Sequence, residues 1–198
     1  MFDLMKQMNL ETWDLGRQLL PRGVFFTRGK GIAREKLASL EMALRQARIA
    51  EYNIVKVTSI FPPACRVLAR NRGKKRLRPG QIVFVVMSEN QTNEPNRLIA
   101  ASVGLAAPAD KSTYGYLSEH HAFGETARKV GDYSEDLAAT MLATTLGLAF
   151  DPDRNYDERK ELYRMSGKIV KSSSITQSAP GDKRGYWTTV LAAAVFVF

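Results

Sequence analysis

The stretch Asn53–Pro63, "NIVKVTSIFPP", decides how the rest of the chain is read. It opens with alternating branched residues, runs into the hydroxyl pair Thr58-Ser59 and closes on a double proline. The branched residues suit a pleated strand, and prolines end one because they cannot donate to a ladder. Two readings of Thr58-Ser59 stand. It is either a strand end turning into a loop or a place where chemistry is done on the chain itself.

Working outward from it, the spacing of apolar and turn residues gives two helices among many strands. Upstream, "VFFT" reads as a strand between a Pro-x-Gly entry and a Gly-x-Gly exit. "AREKLASLEMALRQARI" then sets Leu37, Leu40, Leu44 and Ala47 on one helical face, with Glu41 beside that stripe. Residues 1–20 have a loose helical spacing and read as a short helix or an ordered arm. Downstream, "QIVFVVMSEN", "RLIAASVGLAAP" and "STYGYLSEHHAFG" follow as strands. "DYSEDLAATMLATTLG" predicts a second helix, with Asp132 and Glu135 spaced as a capping box and Gly147 ending it. "DPDRNYDERKELY" is a polar connector, and "GKIVKSSSITQ" and "WTTVLAAAVFVF" are the last strands. No repeat or domain linker interrupts residues 21–198, which predicts a single domain. Strands in series with two main helices predict an α+β or layered sandwich fold.

Composition narrows the class. The 198 residues are 44% hydrophobic and 25% charged, an ordinary soluble balance. No apolar run reaches the roughly 20 residues that span a bilayer. The start lacks the basic-then-apolar pattern of a signal peptide, so a cytoplasmic location and no membrane partner are expected. One cysteine, Cys65, excludes an internal disulfide and a cysteine-based metal site. It reads as a small buried residue rather than a pocket lining. The net charge of +9 owes much to "NRGKKRLRPG", Asn71–Gly80. This run reads as a solvated loop rather than a phosphate-binding patch, because it ends in Pro-Gly and carries no aromatic to stack on a base. A basic nucleic-acid-binding protein acting through Lys74–Arg78 is the alternative of another class.

Conventional catalytic equipment is scarce. There is no phosphate-binding Gly-x-x-x-x-Gly-Lys-Ser/Thr loop, no His-Glu-x-x-His and no Gly-x-Ser-x-Gly. His120 and His121 are strand neighbours facing opposite ways, so they are not expected to share a metal. An enzyme here needs a cofactor.

"NIVKVTSIFPP", with "LEMAL" upstream and "GYLSEHHAFGE" downstream, is similar to the pyruvoyl-dependent arginine decarboxylases. It matches in full their motif N-(x)3-V-[S/T]-S-I-x-P-P, and the resemblance runs from about Pro21 to Phe198. It implies a layered αββα-type sandwich of mainly antiparallel strands. It also implies self-cleavage between Thr58 and Ser59, into a β chain of residues 1–58 and an α chain of residues 59–198. Ser59 Oγ attacks the Thr58 carbonyl carbon, the amide becomes an ester, and elimination across Cα–Cβ leaves dehydroalanine. Tautomerisation and hydrolysis with loss of ammonia then give a pyruvoyl group. That ketone takes the substrate amine as a Schiff base and accepts the electrons left when CO2 departs, as pyridoxal phosphate does elsewhere. Neither pyridoxal phosphate nor a metal is needed.

The resemblance also assigns roles. Glu119 is the proton donor, and a carboxyl group in that role should be partly buried so as to hold its proton. Asn53 helps self-cleavage by hydrogen-bonding the Thr58 carbonyl. Six strand residues span roughly 20 Å, so Asn53 reaches Thr58 only if the chain bends or a neighbouring subunit supplies it. Trimers or pairs of trimers with sites between subunits are expected. Glu41, where the family usually carries aspartate, holds the substrate guanidinium, with Ile60 as a second substrate-binding residue. L-Arginine, converted to agmatine and CO2, is the expected substrate. The added methylene of Glu41 keeps lysine or another cationic amino acid open. A rival serine run, Ser172–Ser174, lacks the double proline and reads as a strand carrying exposed hydroxyls.

Overall fold

The computed structural model describes residues 19–148 and 167–198. All but residues 19–20 of the expected N-terminal helix or arm, and the whole polar connector at 151–163, lie outside the described residues. The architecture is α+β, with two mostly antiparallel sheets and three helices among the described residues. The first sheet contains β1 (Gly23–Ala33), β2 (Asn53–Lys56), β4 (Arg66–Leu68), β5 (Ile82–Thr92) and β9 (Trp187–Val197), in the order β2-β5-β9-β1-β4. The second contains β3 (Ile60–Phe61), β6 (Leu98–Pro108), β7 (Gly115–Phe123) and β8 (Ile169–Pro180), in the order β3-β7-β6-β8. The helices are α1 (Lys36–Ala47), α2 (Arg70–Lys74) and α3 (Ala127–Thr145). Among the described residues only β1–β4 and β2–β5 pair in parallel.

Alternation along β9 distributes the core. Leu191, Ala193, Val195 and Val197 pack with Ala43 and Ala47 of α1. The intervening Ala192, Ala194 and Phe196 pack with Val103, Leu105 and Leu117 of the second sheet. Such a strand, buried on both faces, reads as an unbroken apolar run, and "VLAAAVFV" is one. Helix α3 covers the second sheet through Ala138, Leu142 and Ala143 against Ala106 and Ile169.

β1 is longer than "VFFT", and "TRGKG" is part of the strand rather than its exit. Gly29 and Gly31 are there because α1 lies almost on the backbone. A Cβ on Gly31 would fall 2.1 Å from the Ser39 carbonyl oxygen, and one on Gly29 would fall 2.1 Å from that of Ala43. The same approach corrects the expected helix face. Small residues Ser39, Ala43 and Ala47 are buried, Leu40 and Leu44 are partly buried, and Leu37 is 76% exposed.

Helix α3 also starts earlier than expected. Thr126 is its N-cap, accepting the Lys129 amide at 3.3 Å, while Asp132 sits inside the helix and pairs with Arg128. Gly147 does end it. At φ 66° its amide bonds Thr144 O at 3.1 Å, and Leu148 N bonds Ala143 O at 2.9 Å, the two bonds of a Schellman turn. The basic run Asn71–Gly80 is only partly a loop. Arg70–Lys74 form α2, Gly73 and Leu77 are buried, and Lys74 pairs with Glu51 at 3.1 Å.

Candidate active site

The opening stretch crosses between the sheets. Asn53–Lys56 run parallel to β5 in the first sheet, and the Val57 amide makes one further bond, to Val85 O at 2.9 Å. The chain then leaves. Ile60 and Phe61 pair antiparallel with Tyr116 and Gly115 of β7 in the second sheet. Thr58-Ser59 is the bridge, and both its carbonyls are engaged. Ser59 O accepts the Leu117 amide at 2.8 Å, and Thr58 O accepts the Ile60 amide at 3.1 Å. Thr58 is exposed and Ser59 half-buried. The awkward end of the strand is therefore a transfer between sheets.

That transfer also creates the seat for Glu119. Had β2 continued, the parallel ladder would have drawn the Met87 amide of β5 toward Val57 O. With β2 gone, Glu119 Oε1 accepts that amide at 3.0 Å. Leu117, on the same face of β7 two residues earlier, holds Ser59 O. Glu119 thus stands one strand repeat, roughly 7 Å, along β7 from the residue fixed to Ser59. Two neighbouring bonds tie β7 to β5. Ser88 Oγ donates to His120 O at 2.7 Å and Asn90 Nδ2 donates to Ala122 O at 2.9 Å. Glu119 is exposed in the single chain rather than partly buried.

The other expected residues lie apart from this pair. Asn53 Nδ2 donates to Gly80 O at 2.8 Å, closing the turn into β5. Glu41 is half-exposed on α1 and is bonded to Arg45 one turn on. No hydrogen bond or ion pair among the described residues links Glu41 to Asn53–Phe61 or to β7. His120 faces α3, its ring 4.3 Å from that of Tyr133, and burial lowers its pKa. His121 is exposed, and no group of metal-ligating side chains occurs among the described residues. Ser172 donates to Glu135 at 2.7 Å and is half-buried, so that run is less exposed than expected. Cys65 is half-buried, and burial pushes its thiol up to about 12.

Two clefts flank the bridge on either side of Pro62. One, of about 420 Å³, is lined by Thr58, Ile60, Val57, Phe84, Phe196 and Phe198 and is largely apolar. The other, of about 410 Å³, is lined by Cys65, Arg66, Lys111 and Lys171. Its basic lining opposes a cationic ligand.

Sequence reasoning missed the backbone groups that build the site: the amides of Ile60, Met87 and Leu117. Backbone donors leave no residue signature. Ser88 and Asn90, polar and alternate on an otherwise apolar strand, did carry a signal, since polar residues on a buried face need partners across the seam.

Comparison with known proteins gives a concordant result. A family model described as pyruvoyl-dependent arginine decarboxylase matches residues 23–198. A protein of Chloroherpeton thalassium, described as a probable pyruvoyl-dependent arginine decarboxylase, is 60% identical over 178 residues, which cover 90% of this chain and 98% of that one. A pyruvoyl-dependent arginine decarboxylase of Nitrosopumilus maritimus is 52% identical over 179 residues, and one from Methanosarcina acetivorans 51%, each with 90% and 98% coverage.

Proposed function

The chain belongs to the pyruvoyl-dependent arginine decarboxylase family, and we propose that it converts L-arginine to agmatine and CO2 on a pyruvoyl group made from its own Ser59. The observation that carries this reading is the bridge. A hydroxyl residue follows an exposed Thr58 where the chain passes directly from β2 of one sheet to β3 of the other, with Glu119 seated one strand repeat along β7 from Leu117, whose amide holds Ser59 O. Self-cleavage there gives residues 1–58, which include the N-terminal arm 1–20, and residues 59–198, and the two together form a single domain of residues 21–198 folded as an αββα sandwich. The crossing of the chain from one sheet to the other supports cleavage without collapse, because each new end stays held by its own sheet. When formed, the pyruvoyl ketone supplies the electron sink for decarboxylation.

The chain's own residues do the remaining work. Glu119 returns a proton to the substrate α-carbon, held in place by the Met87 amide. Ile60 and the apolar cleft receive the aliphatic stem of the substrate. Glu41 binds the guanidinium in place of its present partner, Arg45, and does so across a subunit boundary. Asn53 of a neighbouring copy hydrogen-bonds the Thr58 carbonyl during self-cleavage. Exposed Val55, Ile60, Ile82 and Phe198 around the edge strand β2 support self-association, as a trimer or pair of trimers. No described helix is long and apolar enough to cross a membrane, and we place the enzyme in the cytoplasm.

The test is release of labelled CO2 from arginine, compared with lysine. Arginine should be preferred, and Glu41→Gln should raise the arginine KM by about tenfold or more while leaving self-cleavage intact. Equal turnover of both amino acids would overturn the substrate reading, and a Glu41→Gln enzyme with unchanged KM would remove Glu41 from it.

A further inference from the structure

The bond between Ile60 N–H and Thr58 O lies on the scissile carbonyl itself. At 3.1 Å across one intervening residue, it folds Ser59 into a γ-turn. Among the described residues, no other hydrogen bond is made to Thr58 O. Asn53, the side chain expected to bind that oxygen, holds Gly80 O instead within its own chain.

The register explains why the Ile60 amide is available. Ile60 pairs with Tyr116, and the flanking bond runs from Leu117 N to Ser59 O. A flanking bond of that kind marks Ile60–Tyr116 as a non-hydrogen-bonded antiparallel pair, in which neither residue's amide serves the ladder. The Ile60 N–H is thus turned back toward Thr58 rather than spent on β7. Leu117 meanwhile fixes the far side of Ser59. The residue that must react is held at both peptide planes.

We propose that the backbone N–H of Ile60 is the intramolecular oxyanion donor for self-cleavage, an inference that rests on the self-processing reading above. In the first step Ser59 Oγ gives up its proton and bonds to the Thr58 carbonyl carbon. The carbonyl π pair moves onto Thr58 O, which becomes the oxyanion already facing Ile60 N–H. Collapse breaks the bond from Thr58 C to Ser59 N, and that nitrogen takes the proton that left Oγ. The products are an ester and a free amine, with no atom gained or lost. The donor is stronger toward the developing oxyanion than toward the neutral carbonyl, so it lowers the barrier rather than only binding the ground state.

The decisive probe is a single-atom change, the replacement of Ile60 by its α-hydroxy acid through suppressed-codon translation. This removes the N–H and keeps the Ile60 side chain, while the Ser59 carbonyl, now an ester, still accepts the Leu117 amide but more weakly. Self-cleavage should slow by roughly a hundredfold relative to the all-amide chain made the same way, the lower end of the range for losing one oxyanion donor. Cutting at the all-amide rate would overturn the proposal while leaving self-processing intact. An all-amide chain that stays whole would overturn self-processing itself, and the proposal with it. A second measurement does not depend on the ester folding. In uncut Ser59→Ala, hydrogen exchange at the Ile60 amide should be protected, and exchange at the rate of an unbonded amide would overturn the proposal.

Discussion

Replacing Glu119 by glutamine separates the proton donor from the group that holds it. The Glu119 carboxylate is positioned by one backbone donor, the Met87 amide at 3.0 Å to Oε1. A carboxamide keeps an oxygen in that place and can accept the same bond, so β7 should not move. What the change removes is the acidic proton. Positioned general acid catalysis contributes about 10²–10⁴ in rate, or roughly 2.7–5.5 kcal/mol of barrier. Glu119→Gln should therefore cut itself completely, bind arginine with KM within about twofold, and lose about 10²–10⁴ in kcat. The assay is CO2 release from labelled arginine, run beside a gel of the processed fragments. Retention of more than about a tenth of wild-type kcat would refute the role. Glu119→Ala provides the contrast. It leaves the amide of buried Met87 without its acceptor, so a stability cost of about 1–3 kcal/mol is expected, which the glutamine variant should not show.

Gly31→Ala should destabilise the protein, because its Cβ would lie 2.1 Å from the Ser39 carbonyl and 2.5 Å from the Ala43 amide, backbone atoms that yield only if α1 moves. Overpacking of this kind costs about 1–3 kcal/mol, and a thermal melt should fall by roughly 2–10 °C; an unchanged melt would contradict the close approach of α1. Cys65, with burial pushing its thiol up to about 12, stays protonated through neutral pH. Its alkylation by iodoacetamide at pH 8 should be at least about tenfold slower than that of a free cysteine, and rapid labelling of the folded protein would contradict that environment.

Strand existence was legible in the sequence wherever branched or small apolar residues ran between turn signals, as in Ile82–Thr92 and Leu98–Pro108. The glycines of β1 misled because the same residue that permits a turn also permits close contact. Gly29 and Gly31 are two apart, which matches one face of a strand, and that spacing identifies the contact face in retrospect. Leu37 misled for the complementary reason. Hydrophobicity alone placed it inward, but α1 sits too close to β1 for a large side chain, and alanines and a serine take the face. The start of α3 was displaced because Asp132 and Glu135 imitate a cap, whereas Thr126, the true cap, precedes a first turn with little apolar signal.

Thr58 and Ser59 were legible as a motif, but the reason for their position was not. It depends on β2 and β3 belonging to different sheets, a nonlocal fact. The seat of Glu119 follows from the same crossing, because it takes a backbone amide that β2 releases on leaving. Glu41 was legible as a carboxylate on an amphipathic helix. Its separation from the bridge could emerge only once α1 and β7 were placed.

The central claim is that Ser59 becomes the pyruvoyl group, and intact-mass spectrometry of the purified protein tests it most directly. Wild type should yield two species, residues 1–58 with a free carboxylate at Thr58 and residues 59–198 lighter by one ammonia than the same fragment beginning with serine. Ser59→Ala should give one uncut chain. A wild-type protein found whole, or cut to a fragment that begins with unmodified serine, would contradict the account.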